Sequence, residues 1–339
     1  MMSASVKKNV SVGGQAVIEG VMMRAPHAIA TAVRRSNGEI IVKTEPFTSL
    51  LEQNKYLNIP ILRGAIALIE MMIIGTRALQ YSANIMEQDL NDKNSSQPAA
   101  SNTKSKLSLL ATTAVALCLG VVIFFVGPLF IATEGLNIEK TAWQFNLAAG
   151  SIRLALFLSY LLVISTMKDI FRIFQYHGAE HLAVYTFENK EPLTPDKALT
   201  YDTPHPRCGT SFLMFVMLSS IISFAIIDSI YILNFGDMEL STRILIHIPF
   251  IPVVAGISYE LIKVSGKYYR NPLAKLFMIP GLWLQRITTK RPDEKQVEVA
   301  IAALKAALGD TVVDEYEKGY VQGAMSVHEC RITEPALSN

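Results

Sequence analysis

Charge is scarce in this chain of 339 residues: only 18% are Asp, Glu, Lys or Arg, while half are hydrophobic and the mean hydropathy is positive. That balance is far from a typical soluble domain and makes a membrane the first suspect. The formal net charge of +2 gives no electrostatic reason to expect a nucleic-acid partner. No glycine-rich phosphate loop and no basic-aromatic interleaving is present to revive that reading. Gly13 and Gly14 read as a backbone turn, since no lysine follows to complete a phosphate cradle. There are three cysteines, Cys118, Cys208 and Cys330, an odd number in unrelated contexts, which argues against a disulfide framework and for thiols in a reducing compartment. The start "MMSASVKKNV" has no apolar core behind it, so no cleavable signal peptide is expected. No internal repeat is found.

What the chain has is long apolar runs. Leu107 to Thr133 carries no charged residue, enough helix to cross a hydrocarbon core about 30 Å thick at about 1.5 Å per residue. Thr141 to Met167 has one charge, Arg153, and Cys208 to Gly236 has one, Asp228. Ile244 to Ile262 contains Pro249, Pro252 and, near its end, Glu260. Lysine and arginine collect before the first run, between the second and third (Lys168, Arg172, Lys190, Lys197, Arg207), and after the fourth. The expectation is an α-helical integral membrane protein of the bacterial inner membrane, with four transmembrane helices, both termini cytoplasmic, and a small cytoplasmic α+β portion. Arg153 and Asp228 read as residues that snorkel toward the outer interface, and His247 as an interface residue.

The expected organisation is a β-rich region at 1–58, an interfacial or buried amphipathic helix at 59–88, a flexible linker at 89–106, the four-span domain at 107–262 with a cytoplasmic loop at 168–207, and a cytoplasmic remainder at 263–339. Within it, Asn37-Gly38 between alternating segments predicts a hairpin with a tight primed turn. "HLAVYTFEN" reads as a possible further strand. "NPLAKLFMIPGLWLQRITTKRP" reads as a short headgroup-level helix broken at Pro280-Gly281. Pro292 to Leu308 reads as an amphipathic helix ending at Gly309.

The chemistry-bearing stretch is "YHGAEHLAVYTF", Tyr176 to Phe187. On a helix His177 and His181 share one face a turn apart, and with Glu180 they form H-x-x-E-H, the inverted zincin order, in which the glutamate serves as general base. "TPHPRCGTSF" places His205 and Cys208 just before the third run, so that both pairs approach one side of the bilayer. Imidazole and thiolate in such pairs suit zinc. Glu260, and Glu19 in "GGQAVIEGVMMR", are acids on the same side. The candidate set is therefore Glu180 as the catalytic group and His177, His181, His205, Cys208 and Glu260 as metal ligands. Four ligands including Cys208 make a closed structural site, and three leave a position open for catalysis. Three functions follow: a zinc-dependent hydrolase, acting for instance on peptide bonds; a non-catalytic scaffold whose cytoplasmic face binds another protein; and a transporter, suggested only by Asp228 and the proline-interrupted fourth run.

Taken together, "GGQAVIEGVMMR", "LRG" at Leu62–Gly64, "YHGAEH", "HPRCGTSFL" from His205, "SYE" ending at Glu260 and "PGLWLQ" at Pro280–Gln285 resemble the YqhQ-like family of bacterial membrane proteins, a domain of unknown function. The likeness runs from Gly13 to about Leu308. It implies a predicted metal-dependent membrane protein and supplies no reaction. Leu182 departs from the family, which more often has lysine there.

Overall fold

The computed structural model describes residues 10–93, 102–135, 142–267, 272–314 and 316. Four strands come first: β1 (Gly13–Val17), β2 (Gly20–Arg24), β3 (Ala28–Arg34) and β4 (Ile40–Pro46), an antiparallel meander in chain order. Helices follow: α1 (Leu50–Gln53), α2 (Leu62–Lys93), α3 (Asn102–Val121), α4 (Gly127–Phe130), α5 (Ala142–Ile164), α6 (Lys168–Glu188), α7 (Pro195–Ala198), α8 (Gly209–Phe235), α9 (Leu240–Lys267), α10 (Pro272–Thr288) and α11 (Glu294–Leu308).

The sheet is covered on both faces because successive side chains point to opposite sides. Val21 and Met23 of β2 join Ala30 and Ala32 in a core with α6 and α11. Met22, between them, joins Val17 and Val33 against Ala78 and Ile85 of α2. At the start of α11, Asp293 accepts from the Gln296 amide while Gln296 returns the bond, a capping box. The helix ends at Gly309, φ 80°.

Several local expectations change. The β3–β4 connection is wider than a two-residue primed turn: Gly38 N–H donates to the Arg35 carbonyl at 2.9 Å and Arg35 N–H to the Glu39 carbonyl at 2.8 Å. Only Gly38, at φ 93°, takes the left-handed region, as in a type I turn closed by a bulge. "HLAVYTFEN" is helix through Glu188, because Leu182, Ala183 and Val184 are buried against α11 and tertiary packing outweighs their strand preference. The expected linker starts later than Asp89, which lies inside α2, buried, accepting from Arg35 Nε at 2.5 Å and from the Ser36 amide at 2.7 Å. Its middle, 94–101, lies outside the described residues. α10 runs unbroken through Pro280, and Gly281 is there because a Cβ would lie 2.5 Å from Ser211 Oγ on α8.

Four helical stretches are long and apolar enough to cross a membrane: Ala114–Gly135, Ala142–Ile164, Gly209–Phe235 and Leu240–Val264. The first contains two π turns, Val122–Val126 and Ile131–Gly135, flanking α4. Pro128 has no N–H to give the carbonyl four residues earlier, Phe124. Arg153 Nε donates to that carbonyl instead at 3.0 Å, its NH1 reaches Ser220 Oγ at 3.1 Å, and the Phe125 ring lies 5.0 Å from its guanidinium. Arg153 is 8% exposed and so does not snorkel. Asp228 and His247, both 0% exposed, are likewise interior rather than interfacial. One Asp228 oxygen accepts from Arg243 NH1 at 2.6 Å and Asn146 Nδ2 at 2.6 Å, and the other faces His247 Nε2 at 2.7 Å. Partners from α5 and α9 make burial tolerable where lipid would not.

Candidate metal centre

The histidines do not sit on an overrun of the second apolar helix. α5 stops at Ile164, and α6 restarts from Met167 in an extended conformation, φ −74°, ψ 131°. On α6, His177 and His181 are one turn apart, ring centroids 4.5 Å from each other. His177 Nδ1 faces the Thr288 carbonyl at 2.8 Å, and His181 Nδ1 faces the Thr203 carbonyl at 2.5 Å. A carbonyl can only accept, so both Nδ1 atoms carry the hydrogen and both Nε2 atoms of the neutral rings offer a lone pair. His177 Nε2 meets Cys208 Sγ at 3.2 Å. His181 Nε2 is buried with no hydrogen-bond partner among the described residues. Burial holds the His181 imidazole below its ordinary pKa, against the opposing pull of Cys208, so the lone pair is kept free. The ligand atoms of His177, His181 and Cys208 all lie within 4.8 Å of one another.

Cys208 is placed by its own helix. It is the N-cap of α8, its sulfur accepting from the Thr210 amide at 3.4 Å and lying 3.1 Å from Thr210 Oγ1. α6 is brought to the 288–291 segment by Gly178, where a Cβ would stand 2.1 Å from the Lys290 carbonyl oxygen. The Lys290 amide donates to the Phe174 carbonyl at 2.9 Å along the same seam. Gly178→Ala should therefore improve helix propensity yet lever Thr288 off His177; a metal held by the trio would then bind about 10-fold more weakly or worse, measured by chelator competition.

Gln285, fully buried, locks the other side. Its Oε1 accepts from the His205 amide at 2.7 Å while its Nε2 donates to the His205 carbonyl at 2.9 Å and to Ser211 Oγ at 3.0 Å. Replacement by leucine leaves the His205 amide buried and unpaired, at about 1–3 kcal/mol, while the His205 carbonyl keeps the Cys208 N–H at 3.3 Å, and should lower thermal stability in a melting scan. Gln285, Thr203 and Thr288 were not among the candidates. The "PGLWLQ" stretch contained the first, and two backbone carbonyls leave no trace in a sequence.

The remaining candidates are placed beside the trio, not in it. His205 is buried with its ring centroid 5.5 Å from that of His181, but its Nδ1 accepts from the Arg207 amide at 3.2 Å and its Nε2 faces Glu188 Oε2 at 3.5 Å. Burial pushes Glu188 up, and the neighbouring His205 and Arg207 outweigh it, leaving the carboxyl below its ordinary range. Glu180 is buried on the sheet side, where its carboxyl accepts from the Gly14 amide and where a Gly14 Cβ would lie 3.2 Å from its carboxyl carbon. Burial pushes its pKa up, opposed by His177 and by the Gly14 N–H. Glu260 is held by both prongs of Arg63, Nε at 2.6 Å, and Glu19 by Arg172 and the Tyr176 hydroxyl. Neither joins the histidines.

Residues 59–310 match the model of a family described as "Protein of unknown function (DUF1385)". The chain is also 33% identical, over 303 residues, to the "Uncharacterized protein YqhQ" of Bacillus subtilis (strain 168), covering 87% of this chain and 92% of that one. No solved structure matches. His177, His181, Cys208 and Gln285 all fall inside the matched region, and the chain belongs to the DUF1385 family of unknown function.

Proposed function

We propose that this is an integral membrane protein holding one thiophilic divalent cation, zinc by ligand softness, on His177 Nε2, His181 Nε2 and Cys208 Sγ. The observation that carries the reading is the pair of imidazoles, each with Nδ1 tied to a carbonyl and Nε2 turned toward one sulfur. Metal-ligating histidines are held by this kind of outer contact, and the orphaned Nε2 of His181 is an acceptor in want of a ligand. His205 Nδ1 accepts from the Arg207 amide, so its neutral ring carries the hydrogen on Nε2, unpartnered by a hydrogen bond among the described residues and 3.5 Å from Glu188; that leaves three protein ligands and an open position. Lys168, Arg172, Lys190, Lys197 and Arg207 gather at this end of the bundle, so the site faces the cytoplasm of the bacterial inner membrane, with both termini on that side.

The open position favours hydrolysis, with a peptide bond as the substrate class. A bound ion supplies Lewis acidity there. His177 and His181 orient it, and Glu180, its carboxyl held above the ordinary range beside them, is the group to take and return a proton. A second reading, a staple joining α6, α8 and α10 in a scaffold that docks a protein partner, is favoured by the commitment of Glu180 to the Gly14 amide.

Metal analysis of the purified protein tests the site. One ion per chain is expected in the wild type and none in the His177→Ala, His181→Ala double variant; absence from both overturns the metal reading. Glu180→Gln keeps an acceptor for Gly14 and loses the titratable proton. Metal retained with peptide hydrolysis lost supports catalysis, and metal retained with unaltered function supports the staple.

A further inference from the structure

Between β4 and α2 the chain passes through α1, a single turn at Lys55–Leu57, and a corner at Ile59-Pro60-Ile61. Ile61 is β-branched yet sits at φ 72°, so the corner is imposed on it. α9 imposes it. A Cβ on Gly256 would lie 2.3 Å from the Ile61 carbonyl oxygen, and one on Gly64 would lie 2.7 Å from Tyr259 Cβ. The two backbones meet with only glycine between them, and the Arg63–Glu260 pair clamps the junction. Gly256 precedes Val264, where the fourth apolar stretch ends, by about 12 Å of helix. The corner therefore lies well inside the end of that stretch, beside it.

From there α2 climbs back toward the sheet. Buried Glu70 accepts from Ser49 Oγ at 2.9 Å and the Leu50 amide at 2.8 Å, tying the descending arm to the rising one. The three carbonyls of the corner all find donors inside the protein: Leu62 N–H donates to Pro60, Arg63 N–H to Ile59, and Gly64 and Ala65 N–H to Ile61. Pro60 has no N–H to satisfy. Internal pairing of this kind, with the corner packed against α9, is what lets non-helical backbone sit at membrane depth. The exposed side chains of the corner and of the first turns of α2 are apolar, Ile59 at 56%, Ile69 55%, Met72 54% and Ile73 50%, whereas the descending arm exposes Glu52, Gln53, Asn54 and Lys55 beside Tyr56.

We propose that the corner and the first turns of α2, residues 59–73, form a re-entrant tip immersed in the leaflet that borders the metal centre, with lipid acyl chains as the occupant of its apolar surface and the polar run Glu52–Lys55 left at headgroup level. The proposal rests on the four apolar helices spanning a bilayer. It adds a fifth immersed element that neither length nor hydropathy identifies, because Arg63 and Glu70 interrupt it and both are neutralised inside the protein.

The test is tryptophan fluorescence in phosphatidylcholine vesicles whose acyl chains carry bromine, on the full chain with Trp143 and Trp283 replaced by Phe. Single reporters are Ile59→Trp at the corner, Met72→Trp on the rising arm, Ile222→Trp on the exposed face of α8, and Val42→Trp on β4. Emission from the Ile59, Met72 and Ile222 reporters is expected to fall roughly twofold against unbrominated vesicles, and that from the Val42 reporter to stay unchanged and yield to aqueous acrylamide. If the Ile222 reporter is quenched by bromine while those at Ile59 and Met72 yield to acrylamide, or to neither quencher, the re-entrant tip is overturned and the spanning helices stand. Failure of the Ile222 reporter overturns both.

Discussion

Asp228→Ala is expected to destabilise the protein by about 3–5 kcal/mol, the cost of leaving a buried guanidinium without its carboxylate. Arg243 is 6% exposed at its side chain and Asp228 is 0%. In the variant Arg243 also keeps the ring of Phe145 at 3.7 Å and the Met238 carbonyl at 3.3 Å, neither of which carries a full charge. His247 Nε2 and Asn146 Nδ2 lose their acceptor at the same time. The double replacement Asp228→Leu, Arg243→Met should recover the part due to the stranded guanidinium, because swapping a buried ion pair for apolar volume is often close to neutral, and leave the part due to His247 and Asn146. Thermal unfolding in nanodiscs checks both. An Asp228→Ala protein within about 0.5 kcal/mol of wild type would mean the cluster is solvated.

Cys208→Ser is the second large effect, and it separates metal from fold. Serine is at least as good an N-cap as cysteine, so Thr210 keeps its acceptor and α8 its start. On the proposed reading the soft ligand is gone, however. Outer contacts alone are worth about 10–100-fold in metal affinity, so loss of the thiolate should cost more than about 100-fold with little change in unfolding temperature. Competition with a chromophoric chelator measures the first and a thermal scan the second. Equal affinity in wild type and variant would remove Cys208 from the site.

Much of this was legible in the chain. The apolar runs marked the four long helices closely, because a helix buried or lipid-facing on every side needs no pattern beyond length. His177 and His181 could be paired from spacing alone, whereas Cys208 reaches the head of α8 through a turn at Pro206-Arg207, closed by its N–H on the His205 carbonyl at 3.3 Å. Less was legible where partners come from afar. Arg153 and Asp228 looked like outward-reaching charges because the carbonyl freed by Pro128 and the side chains of Asn146, Arg243 and His247 belong to other helices. Strand preference in "HLAVYTFEN" lost to burial against α11. The separation of Glu260 from the histidines turned on Arg63, some two hundred positions away in the chain and invisible as its partner until the corner before α2 was seen against α9.

X-ray absorption at the metal edge of the purified, metal-loaded protein measures the convergence of His177, His181 and Cys208 directly. The expected first shell holds one sulfur at about 2.3 Å and two imidazole nitrogens at about 2.0–2.1 Å, with the sulfur lost in Cys208→Ser. A shell of light atoms alone, unchanged by that substitution, would contradict a single ion shared between the face of α6 and the head of α8.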